Sequence, residues 1–283
     1  MSLISYFNWW NWVEWLVHWN YNIFKVLYGI ALHEGVTLNT INREMQKLDI
    51  LAFGAHPDDV ELGCGGTLLS AVAQGKKVGI IDLTKGELGT RGTTSQRLKE
   101  AQLASQIIGA AVRENLGMPD GFFENNKENQ FAIIEIIRCY QPTIILCNAV
   151  DDRHPDHARA AQLVETASFL AGLVKIQSTH NGQVQNAWRP NQVFHYIQSK
   201  SLAPNFVVDI SAFMDKKMES IMAHASQFYD PNSTEPETFI SGAAFIEFIK
   251  SRAKELGHQI GVEYAEGFIT QKLLGMRNFD SII

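Results

Sequence analysis

Residues 48–61 read LDILAFGAHPDDVE, and two later runs, VGIIDL at 78–83 and TIILC at 143–147, share the apolar character of its first half. Each is short, nearly continuous and bounded by Gly, Lys or Pro, the pattern of a strand buried on both faces. Helical periodicity fits residues 66–74, 95–108, 129–140 and 158–170. Strands alternating with helices in this order predict a Rossmann-like α/β fold, doubly wound around a mainly parallel sheet. Its ligand site lies outside the carboxyl ends of the strands. The loops after Phe53, Leu83 and Cys147 are therefore expected together in space. After Gly172 the pattern changes to strands at 188–198 and 206–210, helices at 212–227 and 243–256, and a surface loop at 229–238, a smaller C-terminal α/β portion.

Composition narrows the functional classes. The chain has 283 residues, 46% hydrophobic and 19% charged, which excludes a disordered chain. Its net charge of −6 argues against a nucleic-acid binder or an anionic-membrane binder. The three cysteines, Cys64, Cys139 and Cys147, have no CxxC spacing, so neither a disulfide scaffold nor a thiolate zinc site is indicated, and a reducing cytoplasm fits.

Of the 6 Trp, all but Trp188 fall at Trp9, Trp10, Trp12, Trp15 and Trp19. The surrounding stretch carries too many polar residues to span a bilayer, lacks the basic start of a signal peptide, and has too few Lys or Arg for an interfacial anchor. Residues 1–44 are read as an upstream extension ahead of a start at Met45. Residues 45–283 then form the working domain, expected to keep activity without the extension.

Two loops at the predicted ligand edge carry chemistry. One holds His56, Pro57, Asp58 and Asp59; the other holds Asp152, Arg153, His154, Pro155, Asp156 and His157. Together they supply the mixed imidazole and carboxylate donors that a catalytic zinc takes as three ligands with one position left open. His56, Asp59 and His157 make such a set. Asp58 is left to take a proton from water, and His154, oriented and kept protonated by Asp156, to meet an oxyanion. Singly, each element reads equally well as a helix cap or a structural histidine; two matching loops at one edge favour a site. The glycines at 63, 65 and 66 do not make a dinucleotide fingerprint, because position 68 is Leu68, and are expected to allow close helix–strand packing. His18, His33, His180, His195, His224 and His258 have no motif around them and read as structural or surface residues, and Lys216, Lys217 and Glu219 as a solvated helix face.

The segments AHPDDVELGCGGTL (55–68), LTKGELGTRGTTSQRLKEA (83–101) and DRHPDH (152–157) resemble the PIG-L/LmbE-like zinc N-deacetylases over about residues 47–275. Ser226-Gln227-Phe228 and GVEYAEGF (261–268) are similar to the branch that deacetylates N-acetylglucosaminyl-malate in bacillithiol biosynthesis. The resemblance implies a cytoplasmic hydrolase with one Zn²⁺ per chain, held by His56, Asp59 and His157, with Asp58 as general base and His154 with Asp156 as the charge-stabilising pair. It also marks Arg97 as reaching the site, against the plain reading of a surface pair with Glu100. Arg91 and Arg153, in the site loops, are the further candidates to meet an acidic substrate. Some relatives carry a tyrosine that polarises the acetyl carbonyl; here the matching position is Phe245. The implied partner is a small N-acetylated amino sugar, and relatives assemble into closed oligomers, with 229–238 as an interface or a lid. Two alternatives stand beside this: a deacetylase of another GlcNAc conjugate or a chitin oligomer, and a sugar- or nucleotide-binding module without chemistry.

Overall fold

The protein is described by a computed structural model over residues 47–276, 278, 280 and 283, so the Trp-rich extension, with His18 and His33, lies outside the described residues. Strands β1 (Ile50–Gly54), β2 (Val78–Thr84), β3 (Val112–Met118) and β4 (Ile144–Cys147) alternate with helices α1 (Asp59–Ala73), α2 (Thr94–Ile108), α3 (Lys127–Tyr140) and α4 (Pro155–Ala171). A hairpin of β5 (Thr179–His180) and β6 (Gln183–Val184) follows, then β7 (Gln192–Tyr196), β8 (Phe206–Asp209), α5 (Met214–Met222), α6 (Ala243–Ile260) and β9 (Ala265–Ile269). The seven-stranded sheet has the order β3-β2-β1-β4-β7-β9-β8. It is parallel from β3 to β7, and β9 runs antiparallel to both of its neighbours. The chain is α/β, as the alternation of runs requires.

Side chains alternate across the strands and build a core on each face. Leu51, Phe53, Ile81 and Ile145 pack with Ile133, Ile137, Leu163 and Val164 of α3 and α4. Ala52, Ile80 and Leu146 pack with Leu68, Leu69 and Ile108 of α1 and α2. With both faces covered, the strands read as continuous apolar runs. Strand order reverses between β1 and β4, and the crevice at their carboxyl ends receives both histidine loops.

Two strands depart from the sequence reading. β3 (VRENLGM) is polar because it lies at the sheet edge, and its Arg113 donates to both Asp82 oxygens, at 2.9 and 2.8 Å, and to Glu61. β9 is short and holds Glu266. The expected helix at 66–74 is the second half of α1, which starts earlier at Asp59 and breaks at Cys64 (φ −145°). A break exposes the polar ends of two half-helices, and a buried ion pair meets them. Lys217 Nζ donates to Leu62 O at 2.9 Å, while Glu266 accepts from Gly66 N at 2.9 Å and Thr67 N at 2.7 Å. The two partners lie 2.5 Å apart. Lys217 is thus buried, not part of a solvated face. The glycine expectation agrees with the packing: a Cβ on Gly63 would lie 2.1 Å from the Tyr196 ring. The helix expected over 212–227 ends at Met222, after a short 3-10 turn at Ser211–Phe213. Cys64, Cys139 and Cys147 are buried, and among the described residues none forms a disulfide. His195 and His224 are buried and His258 is exposed.

Candidate active site

The β1–α1 loop sets three neighbouring side chains to different tasks. Asp59 is held by hydrogen bonds from every side: its Oδ2 accepts from His56 N and Asn148 Nδ2, and its Oδ1 from Gln198 Nε2, all at 2.9 Å. This leaves the carboxylate 3.6 Å from His56 Nδ1 and 3.1 Å from His157 Nε2. The outer nitrogens of both imidazoles are tied down. His56 Nε2 meets Asp120 at 3.0 Å and Asp156 at 3.3 Å, and His157 Nδ1 meets Asp152 at 2.5 Å. A carboxylate behind a histidine fixes its tautomer and turns the other nitrogen inward, the arrangement found behind metal-ligating imidazoles.

Electrostatics favour a cation at this point. Burial opposes charge on His56, yet Asp120, Asp156 and Asp59 raise its pKa well above the ordinary range. His157 is likewise pushed up to about 9 by Asp59 and Asp152 against burial. The carboxylates therefore call for positive charge, which a divalent ion supplies in place of two protons. Two imidazoles and a carboxylate suit such an ion. His56, His154 and His157 also offer donors within 4.8 Å of one another, as do His56, Asp120 and Asp156, but the latter two carboxylates occupy the outer nitrogen of His56.

Asp58 adopts φ 140°, a strained conformation for a residue with a Cβ. Burial raises its pKa to about 6, against the pull of Arg97. Arg97 Nη2 lies 3.4 Å from Asp58 Oδ2 and donates to Pro57 O, and Nη1 donates to Gly86 O at 2.9 Å. Gly86 clears its path, since a Cβ there would lie 1.9 Å from Nη1. Glu100 turns instead to Ser226, so the surface pair with Arg97 does not form.

A cavity of ≈ 370 Å³, large enough for a small sugar, is lined by these residues with Gln227, Ile240, Phe245 and Arg252. Two expectations are corrected here. The Asp156 carboxylate does not orient His154: it binds His56, Gly121 N and Arg159, and only its backbone N–H reaches His154 Nδ1, at 3.3 Å. Burial and the facing imidazoles of His56 and His157 lower the pKa of His154, against the opposing pull of Asp156 and Asp59. Arg91 does not line the cavity; it donates to Ser233 Oγ at 2.7 Å and pairs with Glu235, tethering the 229–238 loop. Arg153 does line it, stacked 4.1 Å over Phe239. Phe245 presents an apolar ring to the cavity, stacked on Phe228.

Asp120, Asp152 and Arg252 have no role in the sequence reading. Asp152 stood inside the DRHPDH motif. Asp120 follows β3, and the alternation of strands and helices asks for a strand between 108 and 127 even though none is apolar there. Arg252 left no signal beyond an ordinary helical arginine.

Residues 51–168 match the PIG-L family, described as GlcNAc-PI de-N-acetylase. The chain is 30% identical over 229 residues to the diacetylchitobiose deacetylase of Thermococcus kodakarensis, a match covering 77% of this chain and 81% of that one. It is 24% identical over 232 residues to the 1D-myo-inositol 2-acetamido-2-deoxy-alpha-D-glucopyranoside deacetylase of Acidothermus cellulolyticus, covering 63% and 79%. Among solved structures, a conserved protein of Thermus thermophilus superposes with a TM-score of 0.73 at 38% identity, covering 81% of this chain and 98% of that one. No helix among the described residues is long and apolar enough to cross a membrane.

Proposed function

The chain belongs to the PIG-L family, and on that premise we propose that it is a zinc-dependent hydrolase removing the N-acetyl group from a GlcNAc conjugate, with N-acetylglucosaminyl-malate as substrate. The observation that carries the reading is the convergence of His56 Nδ1, Asp59 and His157 Nε2, each backed by hydrogen bonds, beside a buried Asp58 held by Arg97. His56, Asp59 and His157 would hold the ion. When bound, zinc supplies Lewis acidity, which acidifies water and polarises a carbonyl.

The chain's own residues do the rest. Asp58 takes the proton of the attacking water and delivers it to the leaving amine; a pKa of about 6 leaves it ionised at neutral pH and basic enough to accept. Arg97 holds that carboxylate in line. His154 acts as a neutral donor: with its Nδ1 accepting from the Asp156 N–H, its proton sits on Nε2, where it meets the developing oxyanion. Phe245 offers no second donor. The domain proposed for this chemistry is 45–283, in the cytoplasm.

The malate conjugate is supported by the resemblance of 226–228 and 261–268, of which Gln227 lines the cavity, and by Arg153 on its wall. A chitin disaccharide is the competing substrate, favoured by the Thermococcus relative. Acetate release from synthetic GlcNAc-malate, GlcNAc and chitobiose, with and without chelator, tests substrate and metal together. Release from the malate conjugate that chelator abolishes is expected; no release from any N-acetyl sugar, with no tightly held metal, refutes the reading. Asp58→Asn should retain zinc by elemental analysis while kcat falls about 10²–10⁴-fold, and full activity would remove Asp58 from the mechanism.

A further inference from the structure

The cavity lining carries both carboxylates and guanidiniums. Asp58, Asp59 and Asp120 gather around the histidines, and the Arg97 guanidinium beside them is committed to Asp58, Pro57 and Gly86. Two other guanidiniums line the cavity without a carboxylate of their own: among the described residues, neither Arg153 nor Arg252 forms an ion pair. Arg153 is stacked on Phe239. Arg252, on α6, is the more exceptional. Its Nη1 is shielded from solvent and has no hydrogen-bond partner, and its guanidinium lies 5.2 Å from the Phe248 ring.

The carboxylates nearest in influence are already spent. Glu266 binds Gly66, Thr67 and Lys217; Asp152 binds His157 and the Lys200 N–H. Burial draws Arg252 down only to about 10, so it is cationic at neutral pH. A buried charged donor without a partner is costly, and a ligand that supplies the partner removes that cost. The planar fork of arginine is matched by an oxyanion that can take two parallel N–H bonds. Gln198 and Ser199, also on the cavity wall, are neutral and do not compete for it.

We propose that Arg252 is the specificity-determining residue for an anionic group, a carboxylate or a phosphate, carried on the aglycone of the amino sugar, with Arg153 as the second cation on the same cavity lining. This rests on the deacetylase reading and adds to it the residue that distinguishes an acidic conjugate from a neutral sugar. Arg252 takes no part in the chemical step, so its loss changes KM and not kcat.

The test compares wild type, Arg252→Gln and Arg252→Lys on three zinc-loaded reactions: GlcNAc linked to malate, GlcNAc linked to glycerol phosphate, and the neutral methyl glycoside of GlcNAc. In Arg252→Gln, KM for an anionic conjugate rises about 10- to 100-fold, the consequence of losing a charged hydrogen bond. Both kcat and the methyl glycoside kinetics stay within about twofold, and Arg252→Lys recovers part of the loss. Whichever anionic conjugate loses more identifies carboxylate or phosphate as the matched group. An equal KM rise on the neutral glycoside, or no rise on either anionic one, overturns the assignment.

Binding keeps the proposal separate from the activity. If wild type releases acetate from none of the three, malate and glycerol phosphate are titrated calorimetrically into wild type and Arg252→Gln. Binding by wild type that the variant loses supports the anion site alone; equal binding, or none by wild type, overturns it.

Discussion

Asp152→Asn is a one-atom change with two opposed consequences. Asp152 Oδ2 accepts from His157 Nδ1 at 2.5 Å, and Oδ1 accepts from the Lys200 backbone N–H at 2.7 Å. Both partners are donors when His157 presents a bare Nε2 to the metal position, so only a carboxylate satisfies both. An asparagine has one acceptor. If its oxygen stays on Lys200 N, its amide faces His157 Nδ1 and drives the ring to the tautomer protonated at Nε2, which cannot ligate. If its oxygen turns to His157, the Lys200 N–H is left facing another donor, at a cost of about 1–3 kcal/mol. Loss of a carboxylate behind a ligating histidine weakens metal binding about 10–100-fold, equivalent to about 1.4–2.8 kcal/mol. Zinc affinity by competition with a chromophoric chelator, and urea unfolding with and without zinc, measure the two parts. The variant should fold, bind zinc at least tenfold more weakly, and show a smaller zinc-induced gain in stability. Zinc affinity within twofold of wild type would refute both the ligand role of His157 Nε2 and the reasoning from its tautomer.

Two further outcomes follow from the buried charges. Glu266→Gln leaves Lys217 buried beside the broken helix without its anion, and unfolding free energy should fall by about 3–5 kcal/mol; a loss below 1 kcal/mol by urea titration would show that the ion pair does not hold the break, whereas adding Lys217→Met should recover part of the loss. Burial would raise Glu61, but Arg113 and His224 overcome it and hold the carboxyl at about 2, below its ordinary 4.5. Its contribution is therefore present above pH 4.5 and lost as pH falls toward 2, so the stability gap between wild type and Glu61→Gln should narrow over that window; a gap unchanged from pH 7 to pH 3 would exclude ionised Glu61 as its source.

Much of the site was legible because its residues are contiguous. His56, Asp58 and Asp59 share one loop, and His154 and His157 another, so two short motifs at two strand ends bring them within reach. Asp120 was not legible: its strand, VRENLGM, spends its polar side chains on Asp82, Glu61 and Tyr140, an edge arrangement that hides the hydrophobic signal. Adjacency in sequence pairs Asp156 with His154, while α4 turns the carboxylate toward His56. Arg91, expected to meet the substrate, and Lys217, expected on a solvated face, are buried anchors, one of a loop and the other of a helix break. In both cases the partner, Ser233 or Glu266, lies far along the chain.

The sequence by itself determined the alternation of strands and helices, and with it the edge at which ligands bind, since hydrophobic periodicity and chain direction are local properties that propagate into sheet topology. It also determined the donor types at that edge. Only the tertiary structure decided which nitrogen of each histidine turns inward, which arginine is free for a ligand and which is consumed by the fold. Those choices depend on hydrogen-bond partners supplied by distant segments, Asp120 from β3 to His56 and Gln198 after β7 to Asp59, and on the burial that makes every unpaired donor costly.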